Sequence, residues 1–280
     1  MSTLDTGSVV VEDLPDTAYH ADKESLSSSG ARLLLPPSTP EKFRYLIDNP
    51  PAPKKEYDFG HVAHRLVLGA GSDIVVVDAD SWRTDKAKAV RKEAHEAGRV
   101  PILRHEFDEA LAMEKQIREH PIAGALFADG RPEVSVYADD PATGVRLRAR
   151  PDWLTELRSG RLAIVDYKTT TNASPDVFAK SVASYGYDLQ ADWYRVLCDL
   201  AGLDADPAFL FVAQEKKPPF AVSVNELRAD TLRDAHRMNR FAISLFAQCV
   251  EQNRWPGWES INLIDLPRWA VYEREGIING

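Results

Sequence analysis

Residues 162–168 place a carboxylate and an ammonium inside an otherwise apolar segment, Leu-Ala-Ile-Val-Asp-Tyr-Lys. The apolar run predicts a largely buried β-strand. Because side chains alternate along a strand, Asp166 and Lys168 share one face and Tyr167 points to the other. Charged groups are costly to bury without a partner or a ligand, so this pair requires a structural or a functional reason.

The segments around this strand predict an α+β fold. Residues 133–137 alternate in hydrophobicity, and a turn signal follows at 139–144. Residues 145–150 and 153–157 continue in extended fashion, and with 162–168 they predict a meander of three antiparallel strands. Helices are predicted over residues 40–47, 59–68, 85–98, 104–119, 174–182, 187–200 and 226–252, and further strands over 74–77, 209–213 and 220–224. This order is typical of a mixed sheet flanked by helices.

The composition favours a soluble globular chain. Its 280 residues are 44% hydrophobic and 28% charged, which excludes disordered, collagen-like and fibrous classes. The formal charge of −9 means that any contact with DNA must be local. Only two cysteines are present, Cys198 and Cys249, so a disulfide scaffold and a cysteine-ligated zinc or iron–sulfur site are excluded. With neither a signal peptide nor a membrane-spanning segment in the sequence, we expect a cytoplasmic protein.

Two further acids occupy unusual positions, since Glu133 opens a predicted strand and Asp152 follows Arg-Pro. A divalent cation accounts for their grouping with Asp166, because Mg²⁺ is held by one or two carboxylates together with water and phosphate oxygens. An amine beside such an ion can steady or deprotonate the attacking water and offset negative charge in the transition state. Lys168 is placed for that role.

Four motifs, in order along the chain, resemble those of a known nuclease superfamily. Asp152 and, fourteen positions later, Asp166-Tyr167-Lys168 resemble the active-site motif of the PD-(D/E)xK nucleases. Residues 60–64, Gly-His-Val-Ala-His, look like the Gly-x-x-x-His helix of the RecB-type branch, and 190–194, Gln-Ala-Asp-Trp-Tyr, look like its Gln-x-x-x-Tyr helix. Residues 82–103 and 255–257 are further similar to exonuclease VIII (RecE-type) phage exonucleases.

The resemblance implies a set of site residues. The implied metal ligands, for one or two Mg²⁺ or Mn²⁺ ions, are His64, Asp152, Asp166, the backbone carbonyl of Tyr167 and, for a second ion or through water, Glu133. The implied catalytic residues are Lys168, Asp166, Asp152, Glu133, Gln190 and Tyr194. Gln190 and Tyr194 lie one helical turn apart and would orient the site or a DNA phosphate. Asp166 stands where many relatives have glutamate, which keeps the ligand chemistry and shortens its reach.

The resemblance also implies an architecture and an activity. The core would be restriction-endonuclease-like, a central mixed β-sheet flanked by helices, in a single exonuclease domain over residues 31–280 with a helical part at 31–128 and a nuclease core at 129–260. We expect a flexible N-terminal arm over residues 1–30. The implied activity is 5′ to 3′ degradation of linear double-stranded DNA, which leaves 3′ overhangs for a single-strand annealing recombinase in phage recombination. A ring-shaped homo-oligomer, without membrane contact, in the bacterial host cytoplasm is implied as well.

Structural explanations compete with several of these assignments. Asp166 and Lys168 could form a solvated ion pair, and Tyr194 could belong to the core. His61 and His64 have the spacing of a zinc pair, although no third nitrogen or sulfur ligand lies at a helpful distance in the sequence. Glu133 could pair with an arginine across the predicted hairpin.

Cations near the motifs are candidate contacts for DNA phosphates, which position a duplex without reading its sequence. We expect such contacts from Arg65, Arg148, Arg150 and Lys180. The lysine-rich helix predicted at 85–98 is either a solvated face or a further DNA contact.

Three other functions fit parts of the pattern. A helicase-associated or CRISPR-type RecB nuclease is the nearest, but the CRISPR type carries a four-cysteine iron–sulfur cluster that two cysteines cannot supply. An endonuclease or DNA-repair nuclease on the same fold would cut circular DNA. A catalytically inactive DNA-binding or assembly protein is the alternative of another class, and the intact acids and lysine speak against it.

Overall fold

A computed structural model describes residues 7–50 and 58–279 of the chain. Its strands are β1 (Val9–Val11), β2 (Leu26–Ser27), β3 (Ile74–Val77), β4 (Val100–Leu103), β5 (Arg131–Pro132), β6 (Ser135–Asp139), β7 (Arg146–Ala149), β8 (Trp153–Glu156), β9 (Leu162–Thr170), β10 (Ala208–Glu215) and β11 (Val222–Glu226). Its helices are α1 (Asp16–Ala21), α2 (Ser28–Leu34), α3 (Pro40–Asp48), α4 (Asp58–Leu68), α5 (Asp85–Glu96), α6 (Arg104–Glu119), α7 (Ala123–Leu126), α8 (Pro175–Tyr185), α9 (Tyr187–Leu200), α10 (Ala229–Glu251) and α11 (Arg268–Asn279).

The central sheet is mixed, with the strand order β11-β10-β9-β8-β5. Strands β9 and β10 are parallel and pair along all of β10 and from Ala163 to Thr170 of β9, with Asp166 opposite Phe211. Strand β8 is antiparallel to β9 and pairs only with its first four residues, Leu162 to Val165. From Asp166 onward β9 therefore has an open edge on the side where β8 has ended.

Helices cover both faces of this sheet, as expected for the α+β fold. On one face α4, α6 and α7 pack against the odd-numbered residues of β9, in a core that includes Ala63, Met113, Phe127 and Tyr167. On the other face α8, α9 and α10 pack against the even-numbered residues, beside Ile164. The expected mixed sheet flanked by helices is confirmed.

A second sheet, with the order β1-β6-β7-β2, shows that the predicted meander of three antiparallel strands is present but is divided between two sheets. One long hairpin contributes strands to both sheets: β5 and β6 form its first arm, and β7 and β8 form its second. The register is the same in both sheets, since Pro132 pairs with Trp153 in one and Val136 pairs with Ala149 in the other. Between these pairs the ladder is interrupted, because Pro151 has no N–H to donate. The strands bend at this point and pass from one sheet to the other.

The N-terminal segment differs from the expected flexible arm. Within it, β1 pairs with β6 and β2 pairs with β7, and Tyr19 is buried. Two arginines of the hairpin fasten this segment: Arg148 donates to the carbonyl oxygen of Tyr19, and Arg150 donates to that of Leu14 at 2.9 Å. These long-range contacts order a stretch that has little periodicity of its own. Residues 1–6 of the predicted arm lie outside the described residues.

Other element boundaries agree closely with the sequence. The strand 74–77 and the helices 104–119 and 187–200 are confirmed without change. Strand β4, parallel to β3, was not predicted, because Pro101 weakens a strand pattern. The helix predicted over 226–252 corresponds to α10, which ends at Glu251, and a further helix that was not predicted, α11, follows it. In the described part of the chain no helix is both long and apolar enough to cross a membrane.

The turn between β6 and β7 is tied to α10 by a buried carboxylate. Both oxygens of Asp140 accept hydrogen bonds from Arg240, one of them at 3.0 Å, and Thr143 donates a further bond at 2.6 Å. Burial, the largest effect, raises the pKa of Asp140, but the bonds from Arg240 and Thr143 outweigh it and hold the pKa below its ordinary value. The ionised form therefore stabilises the fold.

We expect Asp140→Asn to lower the free energy of unfolding by about 1–3 kcal/mol at neutral pH, because charged hydrogen bonds to a buried group are lost. A carboxyl with a depressed pKa stabilises the protein above its unfolded pKa, and this contribution disappears as the pH falls through the folded pKa. The difference between wild type and variant should thus shrink in acid. Urea titrations at neutral and acidic pH measure it. Asp139→Asn, which affects a more exposed pair with Arg146, is the control, and equal losses in both variants would contradict the prediction.

Candidate active site

The open edge of β9 carries the centre of the site. Asp166 is completely buried, and its Oδ2 lies 2.5 Å from Nζ of Lys168. Gln190 of α9 donates a hydrogen bond to the other oxygen, Oδ1, at 2.9 Å. Despite the close ammonium, Oδ2 accepts no hydrogen bond of normal geometry. Asp166 thus presents a buried carboxylate oxygen with unused bonding capacity.

Asp152 and His64 bring the second half of the site to the same edge. Nε2 of His64, on α4, lies 3.1 Å from Oδ2 of Asp152. That oxygen also accepts a hydrogen bond from the backbone N–H of Tyr167 at 2.9 Å. The carbonyl of a strand residue points to the same side as its N–H, so the carbonyl of Tyr167 faces the Asp152 side as well. The two helical layers of the fold meet here, with α4 supplying the histidine and α9 the glutamine.

Glu133 lies directly across the bent hairpin from Asp152. Its N–H donates to the carbonyl oxygen of Asp152 at 3.0 Å, and its φ of 47° is in the left-handed region that non-glycine residues rarely adopt. The side chain is half-buried, and its charge contributes to the environment of His64. The strained backbone at Glu133 coincides with the bend that creates the site, as is common at functional positions.

The charges of the site shift its pKa values in different directions. Burial and, to a smaller extent, Asp152 raise the pKa of Asp166 to about 6, against the opposing effect of Lys168. Burial lowers the pKa of Lys168, but Asp166 and Asp152 outweigh it and raise the pKa above its ordinary value. For Asp152 burial raises the pKa, and the neighbouring His64 and Lys168 bring it below its usual range. The lysine is therefore held as a cation between two carboxylates.

The imidazole of His64 experiences the same competition. Burial is the largest effect and lowers its pKa, but Asp152, Glu133 and Asp166 together raise it above the ordinary value. His64 is paired with Asp152 through its Nε2. A bound cation would favour the neutral imidazole, because a metal ligand must be deprotonated.

The donor set fits a hard divalent cation, although its members are paired with one another. Among the residues that the structure describes, no three histidine, cysteine, aspartate or glutamate side chains stand close enough to hold one ion as they are. His64 is engaged with Asp152, and Asp166 with Lys168 and Gln190. The available donors are carboxylate oxygens, one imidazole nitrogen and a backbone carbonyl, a set that suits Mg²⁺ or Mn²⁺. Oδ2 of Asp166, whose only close contact is an ion pair with Lys168 without normal hydrogen-bond geometry, is the observation that most favours such an ion.

Gln190 and Tyr194 have different environments although they share a helix face. Gln190 touches the site directly through Asp166. Tyr194 is half-buried, its ring lies 6.1 Å from that of Phe209, and burial raises the pKa of its hydroxyl above the ordinary value. Gln190 opposes this rise in the pKa. Tyr194 therefore belongs partly to the core and lies beside the glutamine.

Two of the arginines expected to contact phosphates are occupied by the N-terminal segment. Arg150 bonds to Ser135, Leu14 and Asp16 and packs over the ring of Tyr19 at 4.2 Å. Arg148 likewise bonds to the Tyr19 carbonyl and lies 3.6 Å from Asp22. Both guanidinium groups are nearly buried, so their first role is to anchor the chain rather than to bind DNA.

The other two candidate cations are more accessible. Arg65 donates to the Gly69 carbonyl at 2.6 Å and lies 3.9 Å from the exposed Asp73. Lys180 is exposed on α8. Phosphate contacts from Arg65 and Lys180 stay predictions.

A cleft beside the site contains residues that the sequence did not single out. It encloses about 310 Å³ and includes Gln190 and Tyr194 of the site together with Arg32, Arg148 and Tyr187. Nζ of Lys168 lies 5.0 Å from the centre of the Tyr187 ring, which joins cleft and site. The connection between α8 and α9 passes close to Arg32 at a glycine of positive φ, where an added Cβ would lie 2.8 Å from the arginine. Arg32 carries no local sequence signal, because only the fold brings α2 to α9.

Comparison with known proteins identifies the family. Residues 48–267, well over half of the chain, match a family described as a PDDEXK-like domain of unknown function, DUF3799. The chain belongs to this family. The DUF3799 match covers His64, Glu133, Asp152, Asp166 and Lys168, and it confirms the expected relationship to the PD-(D/E)xK nucleases, whose members generally use divalent metal ions.

One solved structure agrees with the fold of this DUF3799 domain. A candidate exonuclease from Eubacterium rectale matches 91% of this chain and 96% of its own length, with a TM-score of 0.61 and 15% sequence identity. At this identity the likeness shows the fold alone. The structure of SSO0001 reaches a TM-score of 0.37 at 12% identity over 80% of this chain and 77% of its own, too low to carry an argument. No curated protein matches the chain. Family and site geometry together support a nuclease.

Proposed function

We propose that this protein is a metal-dependent exonuclease that hydrolyses the phosphodiester bonds of linear double-stranded DNA. The observation that carries the proposal is the buried Asp166–Lys168 pair at the open edge of β9, beside the Asp152–His64 pair. A structural ion pair would leave no need for a second carboxylate and a histidine at the same edge. Two carboxylates, an imidazole and a lysine are the groups that metal-assisted hydrolysis of a phosphodiester requires.

The residues divide the work of hydrolysis. His64, Asp152, Asp166 and the carbonyl of Tyr167 would hold Mg²⁺ or Mn²⁺, with Glu133 binding through water or a second ion. When bound, the ion polarises a phosphate oxygen and lowers the pKa of water. Lys168 holds the attacking water in place and offsets the negative charge that develops on the phosphate. Gln190 fixes the orientation of Asp166 through its hydrogen bond.

The cleft beside the site supports an enzyme that works from a strand end. Its volume of about 310 Å³ is at the lower end for a ligand pocket, which suits one nucleotide better than a continuous duplex. Arg32 offers a cation for a phosphate, and the exposed Tyr185, stacked on Tyr187 at 5.5 Å, offers a ring face for a base. By its resemblance to exonuclease VIII, we assign 5′ to 3′ polarity, 3′ overhangs and a single-strand annealing recombinase as partner.

Cleavage of end-labelled DNA tests the proposal. Linear duplexes labelled at either the 5′ or the 3′ ends are incubated with Mg²⁺, Mn²⁺ or EDTA, beside a closed circular duplex. We expect loss of linear DNA only with metal, release of the 5′ label first, and an intact circle. Earlier release of the 3′ label would contradict the polarity. A cut circle would support an endonuclease, and no cleavage with either metal would support an inactive DNA-binding protein.

We expect Arg32→Ala to raise the KM for linear DNA about tenfold or more while kcat changes less, because one charged contact to phosphate contributes about 1.5–3 kcal/mol. Arg158→Ala, which removes an exposed arginine from the β8–β9 turn, is the matched control. Steady-state cleavage of a 5′-labelled duplex gives both constants. If the KM of Arg32→Ala stays at the wild-type value, the cleft does not bind the DNA substrate.

A further inference from the structure

Tyr187 is the aromatic neighbour of the lysine in the active site. Nζ of Lys168 lies over the Tyr187 ring, 5.0 Å from its centre, within the range at which a cation is attracted to an aromatic face. The lysine side chain is only 21% exposed, so water weakens this attraction little. The ring is thus a second partner of the ammonium besides Asp166.

The backbone at the start of α9 determines where this ring lies. Gly186 ends α8 with a φ of 64° and directly precedes Tyr187, the first residue of α9. A Cβ at Gly186 would lie 2.8 Å from Cδ of Arg32, so any other residue would be strained by the backbone and would displace the arginine. The tight connection between the two helices therefore fixes the origin of the Tyr187 side chain.

Three further aromatic rings surround that of Tyr187. The ring centres of Phe178, Phe211 and Tyr185 lie 6.2, 5.8 and 5.5 Å from it, and both phenylalanines are buried. Phe211 is the residue of β10 that pairs with Asp166, so Tyr187 packs against the same two strands that present the site. This packing makes the Tyr187 ring a fixed wall beside the lysine.

The carboxylate next to Lys168 is also a proposed metal ligand. Oδ2 of Asp166 lies 2.5 Å from Nζ of Lys168 without normal hydrogen-bond geometry. A cation held by Asp166 would compete for the same negative charge and would repel the ammonium, so this ion pair would weaken. The ring of Tyr187 has no net charge for a cation to neutralise, and its attraction to the ammonium would remain.

We propose that Tyr187 is a positioning residue, whose ring face holds the ammonium of Lys168 at the open edge of β9. The inference rests on the proposed function, which gives Lys168 its task in hydrolysis. It requires the aromatic face and not the hydroxyl, so phenylalanine at position 187 serves equally well. If Tyr187 only filled space in the core, an aliphatic side chain of similar size would serve as well as phenylalanine.

NMR spectroscopy of protein labelled with ¹³C-lysine measures the contact without DNA or metal. The ring current of Tyr187 should shift the ε-methylene protons of Lys168 upfield from those of exposed lysines such as Lys115, and absence of the signal in Lys168→Met assigns it. Tyr187→Phe should keep the shift, and Tyr187→Leu should abolish it. Tyr45→Leu, which removes an exposed tyrosine of α3, is the control and should leave the signal unchanged. An unshifted signal in wild type, or a shift that persists in Tyr187→Leu, would overturn the proposal.

A double-mutant cycle measures what the contact contributes to cleavage of a 5′-labelled duplex. Tyr187→Leu should lower kcat about 3- to 30-fold, the range expected for a cation–π contact that is largely shielded from water. Tyr187→Phe and Tyr45→Leu should stay within about twofold of wild type. In the Lys168→Met background Tyr187→Leu should have no further effect, because no ammonium is left to hold. An equal loss in both backgrounds would mean that the ring acts through packing alone, against the proposal.

Thermal melts show which variants are folded. If Tyr187→Leu is unfolded, Tyr187→Met takes its place in both experiments, because the flexible methionine side chain fills irregular gaps in a core. A wild type that cleaves no DNA would contradict the proposed function, and the position of the Lys168 signal would still decide whether Tyr187 holds the lysine.

Discussion

Lys168→Ala should reduce the cleavage of linear DNA by about 10²- to 10³-fold, the usual cost of removing one group that stabilises charge in a transition state. Its ammonium lies 2.5 Å from Asp166, and the pKa of the amine is raised, so wild type keeps a fixed positive charge beside the reacting phosphate. Alanine removes that charge together with the donor that steadies the attacking water. Quantitative cleavage of 5′-labelled duplex in Mg²⁺ measures the loss.

The control is Lys115→Ala, which removes an exposed lysine of α6 that pairs only with Glu119 at 3.7 Å. This variant should cleave like wild type. Both alanine and methionine at position 168 leave Asp166 buried without its counter-charge. Lys168→Met is made in parallel because it keeps an apolar side-chain stem against Tyr187 and so disturbs the packing less. Thermal melts establish that both are folded. Cleavage at the wild-type rate in a folded Lys168 variant would disprove the assignment of the site.

The local parts of the site were predictable from the sequence. Alternation along β9 places Asp166 and Lys168 on one face and Tyr167 on the other, and the structure agrees: the Tyr167 hydroxyl donates to Gln214 at 2.6 Å in the opposite core. The helices that carry His64 and Gln190 follow from apolar periodicity alone. A hydrophobic period of 2 or 3.6 residues depends only on residues that are close in sequence, so it can be recognised without knowledge of the fold.

Features that depend on distant contacts were not predictable. The bend at Glu133 arises because Pro151, across the hairpin, cannot donate to the ladder, and it divides the predicted meander between two sheets. The order of the N-terminal segment depends on Arg148 and Arg150, more than a hundred residues away, which the sequence offered as phosphate contacts. The cleft at Arg32 exists only because α2 packs near α9. Each of these requires tertiary structure that no local pattern encodes.

His64→Ala should weaken the binding of Mn²⁺ more than about tenfold, since even the loss of a supporting contact to a ligand costs 10- to 100-fold. The imidazole is the only nitrogen donor proposed for the site, and its Nε2 already faces Asp152 at 3.1 Å. Titration calorimetry with Mn²⁺ measures binding without any cleavage. DNA cleavage should fall in parallel and recover in part at high Mn²⁺ concentration, because the remaining carboxylates still attract the ion.

His61→Ala is the matched control, because His61 lies one turn earlier on α4 and is exposed to solvent. If the ion is held by His64 with the two aspartates, His61→Ala binds Mn²⁺ and cleaves DNA like wild type. A zinc pair formed by the two histidines predicts the opposite, namely equal losses in both variants and a preference for Zn²⁺. A loss of Mn²⁺ binding and cleavage in His64→Ala but not in His61→Ala therefore supports an oxygen-rich nuclease centre over a histidine site. The comparison is well matched because the two histidines lie one turn apart on the same helix.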